Sequence, residues 1–314
     1  MGRRASIYAC GVNFFPLLLP DFSLILCGYL LCRHSAHNRQ VWDQVDRLVY
    51  YFLFPVLLFH SIVKHPLDWQ AARPLMGAGL CMAAAGIALA YSLPHWPLLG
   101  SRVDRRLHAA GAQVAFRFNS FIALALIERV AGPAGLPLLA LLIGLLVPVF
   151  NIGAVLPMAR HAGGRLSREL ARNPLILATA SGLCANLLGL QLPDDMTPTL
   201  TRLGQAAIAL GLLAAGAGMQ LGAMREGKAL SLALLTIKHL GLPLLALLMA
   251  RLWQLPELPT RVLLMFAAVP TATSCYVLAA RMGYNGAYVA GLVTVSTLLG
   301  MFSLPLALGL LANW

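Results

Sequence analysis

About ten stretches of roughly twenty predominantly apolar residues, separated by short loops, occupy almost all of this 314-residue chain. They run approximately over 13–31, 45–63, 74–93, 108–130, 136–159, 174–192, 203–222, 230–250, 260–281 and 286–311. At about 1.5 Å per residue, a helix of about twenty residues crosses the hydrocarbon core of a bilayer. Apolar residues make up 59% of the chain and charged residues 11%, against about 25% charged in soluble domains. Too little polar surface remains to cover a water-soluble fold, so the expected class is an all-α integral membrane protein.

The net charge of +12 does not point to nucleic acid, because the basic residues sit in short loops between apolar spans. In that position Lys and Arg report orientation instead. Arg160, Arg165, Arg168 and Arg172 form the densest cluster. They predict a central cytoplasmic loop at 160–173, with both termini outside a cell (inner) membrane. Gly2-Arg3-Arg4 ahead of Asn13–Leu19 only faintly resembles a signal peptide. The run holds Pro16 and Pro20 and continues through Leu31 without a small-residue cleavage site, so a retained first span is expected.

Two spans are interrupted. Ala267-Ala268-Val269-Pro270-Thr271-Ala272-Thr273-Ser274-Cys275 sets a proline and three hydroxyls in the middle of an apolar run. Phe116-Arg117-Phe118-Asn119-Ser120-Phe121 interrupts another about 150 residues earlier. A backbone group left unsatisfied in hydrocarbon costs several kcal/mol, so such breaks persist only where buried or lining a cavity. Paired breaks at matching places in two halves are the sequence pointer to a secondary transporter's midplane site.

The halves echo each other. Leu19-Pro20 followed by Gly28 matches Asn173-Pro174 followed by Gly182. Asp46-Arg47-Leu48 matches Thr201-Arg202-Leu203, Asn119-Ser120 aligns with Pro270-Thr271, and Gly132 with Gly283. Five spans per copy is an odd number, so the second copy enters the membrane from the opposite face. The predicted organisation is a first five-helix repeat over 1–159, the loop 160–173, and an inverted repeat over 174–314.

Leu48-Val49-Tyr50-Tyr51-Phe52-Leu53-Phe54-Pro55-Val56-Leu57-Leu58-Phe59, Asn173-Pro174-Leu175-Ile176, and Pro270-Thr271-Ala272-Thr273-Ser274 with Val277-Leu278-Ala279 resemble the auxin efflux carrier family of bacterial and plant membrane transporters. The resemblance covers essentially the whole chain, and the Phe-Arg-Phe-Asn wording at 116–119 is similar to one bacterial branch. It implies ten helices in two inverted five-helix repeats, with helices 4 and 9 broken and crossing near the bilayer centre. It also implies a homodimer, transport of organic anions, and an elevator-like motion of the crossover domain against a scaffold. The chain departs from the family pattern in span 4, where Asn119 is present but the usual glycine and proline positions read Ala123 and Ala125. Span 4 is therefore expected to be less sharply broken than span 9, or broken earlier, around Phe118–Ser120.

Arg117 is the first candidate for anion binding. A guanidinium near mid-span costs about 2.5 kcal/mol or more on insertion scales, and it can hold a carboxylate with two parallel hydrogen bonds. The alternative is that it snorkels to the cytoplasmic surface. Lys238 would balance substrate charge, stand in for a coupling cation, or snorkel; its neighbour His239 reads as a packing residue. Asn119, Ser120, Pro270, Thr271, Thr273 and Ser274 would supply neutral groups and positive helix ends at the two breaks. For the hydroxyls the alternative is interhelical or local bonding. Asn151 and Asn186 are secondary candidates that could simply join neighbouring helices.

The eleven carboxylates read as lying in loops or near span ends, which disfavours sodium coupling or a deep proton relay. The scattered cysteines have no metal spacing and read as small buried residues. No enzyme, metal or cofactor signature is present. The expected partners are a small organic anion, membrane lipid and a second copy of the chain. Competing readings are a bile-acid-symporter-like sodium-coupled carrier, an anion channel and, further off, an intramembrane enzyme.

Overall fold

The computed structural model describes residues 14–35, 39–64, 69–97, 100, 103–159, 174–190, 192–220 and 227–310. Regular structure among them is helical throughout, without a strand. The elements are α1 (Phe14–His34), α2 (Arg39–Lys64), α3 (Trp69–Ser92), α4 (Arg105–Gly111), α5 (Ser120–Ala131) and α6 (Gly135–Ala159). They continue as α7 (Pro174–Leu187), α8 (Thr197–Ala217), α9 (Lys228–Leu252), α10 (Glu257–Ala268), α11 (Ser274–Arg281) and α12 (Gly286–Gly309). The predicted loop 160–173 with its four arginines, the N-terminal residues 1–13 and Cys10 lie outside the described residues.

Among the described residues, seven helical stretches are long and apolar enough to cross a membrane by length and composition, one of them spanning α4 and α5 together. Leu232, Leu244, Phe302 and Leu306 stand exposed on the outside. Hydrocarbon, not water, is the solvent in which that surface is favourable. Inside, close approach is set by small residues, as expected where lipid supplies no hydrophobic drive between helices. Gly28 of α1 faces the backbone of Leu213 on α8, and Gly216 of α8 faces that of Ile25. The second such contact joins α7 to α2, where Gly182 sits over Ile62 and the Phe59 carbonyl. There the Asn186 side-chain amide donates to the Ile62 carbonyl at 2.7 Å.

Both interruptions are present. After α4 the chain tightens into a 3₁₀ turn over Ala112–Ala115, loses helical form through Phe116–Asn119 and restarts at Ser120. The break thus falls at the early position expected from Ala123 and Ala125, both of which lie inside α5. A capping asparagine does the work left open by the missing proline. Asn119 Oδ1 accepts the amides of Phe121 (3.0 Å) and Ile122 (3.2 Å), closing the N-terminus of α5. The second break runs from Val269, in extended conformation, to Thr273. Gly132 after α5 and Gly283 after α11 both take positive φ, 69° and 75°, a conformation that ends helices and that side chains resist.

Two expectations are corrected. Asp21 is not at a span end: it lies within α1, 4% exposed, and pairs with Arg129 of α5 at 2.9 Å. A carboxylate can sit at that depth because the cation faces it. Of the cysteines, Cys275 is buried, while Cys27, Cys81 and Cys184 are exposed on outward helix faces. A thiol is apolar enough to face lipid at little cost.

Candidate functional site

The two breaks touch. The Asn119 amide donates to the Pro270 carbonyl at 2.8 Å, so each interruption satisfies a backbone group that the other leaves open. Aromatic rings close the apolar side: Phe118 lies 4.0 Å centroid to centroid from Phe266 of α10, and Phe150 of α6 packs against both. On the polar side Gln113 bridges the halves, its amide donating to the Ala110 carbonyl (3.0 Å) and the Cys275 carbonyl (3.1 Å). The N-termini of α5 and α11 both begin at this junction. Helix N-termini carry positive partial charge.

Arg117 is held across the junction. Its guanidinium donates to Gln113 Oε1 at 2.9 Å, Asn151 Oδ1 at 3.2 Å and Ser274 Oγ at 3.1 Å. Every one of these acceptors is neutral, and among the described residues no carboxylate lies within ion-pair distance of it. Arg117 is only partly buried and Ser274 is exposed, so the charge is pre-positioned and reachable. Asn119 is 2% exposed; its Oδ1 is spent on the cap, and its Nδ2 has no hydrogen-bond partner among the described residues.

Thr271 is fully buried; its amide donates to Ser296 Oγ of α12 at 3.1 Å, and its hydroxyl lies 3.6 Å from Cys275 Sγ. The hydroxyls of Ser120 and Thr273 flank the junction without a hydrogen bond among the described residues. Lys238 arrives from a π-helical turn, Ile237–Gly241, in α9. Its Nζ is wholly buried and donates to the Ala267 carbonyl at 3.1 Å. His239 beside it bonds Ser303 Oγ (2.7 Å) and Ser296 Oγ (3.0 Å) of α12.

The structure therefore brings Arg117, Asn119, Ser120, Asn151, Pro270, Thr271, Thr273 and Ser274 to one junction, with Lys238 on its α10 side. Asn186 stands apart, joining α7 to α2. Sequence reasoning passed over Gln113, Ser296 and Phe266. Gln113 carried a readable signal, one helical turn ahead of Arg117. Ser296 carried none, being 25 residues from its partner Thr271. A separate cavity of about 290 Å³ lies along α5 between α1, α2, α6 and α8. It is lined among others by Asp21, His60, Lys64, Glu128, Arg129 and Gln205, none of them a candidate read from the sequence.

Two interrupted helices abutting inside an apolar helical protein, with polar side chains gathered at the junction, are the construction of a membrane transporter. The chain belongs to the auxin efflux carrier family: the family described as "Membrane transport protein" matches residues 106–308, and with it comes a multi-pass membrane location. A relative from Rhizobium meliloti (strain 1021), named "Putative malonate transporter", is 24% identical over 301 residues, covering 91% of this chain and 92% of its own.

Proposed function

We propose that the protein is a secondary carrier for a small organic anion, a carboxylate, bound where the two breaks meet. The observation that carries this is Arg117: an intramembrane guanidinium fixed by three neutral acceptors at the N-terminus of α11. An intramembrane charge without a counter-ion is expensive even when partly exposed, and a substrate carboxylate is the partner that removes the cost. Asn119 Nδ2 and the Ser120 and Thr273 hydroxyls would orient it. The name of the Rhizobium relative, a malonate transporter, fits a short carboxylate.

In this reading α4 with α5, and α10 with α11, each make one interrupted crossing, giving ten spans in two inverted repeats, 1–159 and 174–314. Support comes from packing: exchange of the two halves maps the α1–α8 contact onto the α7–α2 contact, and the aligned glycines Gly28 and Gly182 sit one in each. The scaffold would comprise α1, α2, α7 and α8 and form the homodimer contact, while the remaining helices move as the crossover unit. The cavity along α5 lies between the two groups, where an approach path would run. Spin labels at Glu128 on α5 and Arg202 on α8 should change separation on adding substrate; an unchanged distance would sink the elevator.

The test of the site uses purified protein in liposomes loaded with a dicarboxylate or monocarboxylate, read as radiolabelled counterflow. A carrier exchanges substrate without net flux and a channel does not. Arg117→Gln should lower exchange by about tenfold to hundredfold, the loss expected for hydrogen bonds to a charged group. Arg117→Lys should keep some transport at weaker affinity, since the charge stays but the planar fork is lost. Unchanged exchange by a folded Arg117→Gln protein would remove the proposed anion site.

A further inference from the structure

We propose that Lys238 is a tethered cation, filling a cation site at the open C-terminal end of α10 that a free coupling ion would otherwise occupy; this rests on the carrier reading above. In a continuous helix the Ala267 carbonyl would accept the amide four residues on, that of Thr271. The break turns that amide away to Ser296 Oγ at 3.1 Å. Ala267 is left as an open carbonyl in the last turn of α10, at the end of a helix that carries negative partial charge.

In carriers built from broken helices such carbonyl ends coordinate the coupling sodium or proton. Here the Lys238 ammonium sits there instead, 3.1 Å from the Ala267 oxygen and fully enclosed. No carboxylate pairs with it among the described residues. Its placement is built in. The π-turn at Ile237–Gly241 turns Lys238 and His239 inward side by side, and His239 is pinned to Ser296 and Ser303 of α12. Ser296 thus serves both parts, holding the diverted Thr271 amide and the histidine beside the lysine.

Lys238 makes that one hydrogen bond among the described residues, and an ammonium has three donors. A positive charge fixed by a covalent bond travels with the crossover and needs no loading from solution. The carrier then works without sodium or potassium at this place.

The experiment is thermal melting and substrate exchange of the full-length protein in sodium, potassium and choline salts, with Lys238→Ala and Lys238→Met alongside. The unmodified protein should melt and exchange alike in all three salts. Lys238→Ala should melt lower and regain at least half of the loss with methylammonium or sodium but not with choline, which is too large. Lys238→Met, of similar length and without charge, should lose exchange and gain nothing from any cation. The proposal is overturned if the unmodified protein needs sodium, if Lys238→Met behaves as the unmodified protein, or if a folded Lys238→Ala responds to no small cation. If Lys238→Ala does not fold, the unmodified protein and Lys238→Met still decide the matter. Cation rescue of melting without any carboxylate exchange by the unmodified protein would remove the substrate reading and leave the tethered cation standing.

Discussion

Asn119 and Pro270, 151 residues apart, share a 2.8 Å hydrogen bond from the amide of one to the carbonyl of the other. That bond makes two separate defects into one structure. Each break alone would leave backbone groups bare in the interior; together they satisfy one another and still bring two helix N-termini beside Arg117.

Asn119 has two functions that substitution can separate. Its Oδ1 caps α5, and its Nδ2 is buried without a partner among the described residues. Asn119→Asp keeps the acceptor and places negative charge where the anion should sit. It should retain a near-normal melting temperature while losing carboxylate exchange. Asn119→Ala should lose both, with about 1 kcal/mol from the cap alone. Equal exchange by Asn119→Asp and the unmodified protein would exclude the side-chain amide from the site.

The Asp21–Arg129 pair ties α1 to α5 at 2.9 Å, with Asp21 6% and Arg129 36% exposed at the side chain. Removing one member of a fully buried pair costs about 3–5 kcal/mol. The exposure of Arg129 lowers the expectation to on the order of 1–2 kcal/mol. Asp21→Asn and Arg129→Gln should each lower the melting temperature, and the double variant should lose less than their sum. Strict additivity would mean that the pair does not couple the two helices.

Gly28 is expected to tolerate nothing larger. A Cβ there runs into the main chain of Leu213, which cannot rotate aside as a side chain could. Gly28→Val should reduce folded protein sharply by size-exclusion yield, whereas Gly309→Ala, with open space around its Cβ position, should not. Normal yield from Gly28→Val would show that the α1–α8 contact can spread at little cost.

The orientation drawn from the arginines at 160, 165, 168 and 172 predicts that Gly163→Cys, in a protein otherwise free of cysteine, resists an impermeant thiol reagent in intact cells. Permeabilised cells should label readily. Labelling from outside without permeabilisation would reverse the orientation.

Much of this was legible in the order of residues. Apolar runs of about twenty residues leave a chain little choice but to form helices in lipid, since only internal hydrogen bonding satisfies the backbone there. Pro270 among hydroxyls marks one break for the same local reason, and the polar interruption at Arg117, Asn119 and Ser120 marks the other, while the cap by Asn119 is a finding of the structure. The tertiary structure alone decided which groups those breaks would meet. Arg117 finds Asn151 and Ser274, Lys238 finds the Ala267 carbonyl, and Asp21 finds Arg129 across 108 residues of chain. Pattern and propensity act over a few residues, and they name the residues that carry exceptional charge or break a helix. Which partner relieves each one depends on helix packing between residues 29 to 157 positions apart. There, glycine contacts such as Gly28 on Leu213 set which faces meet.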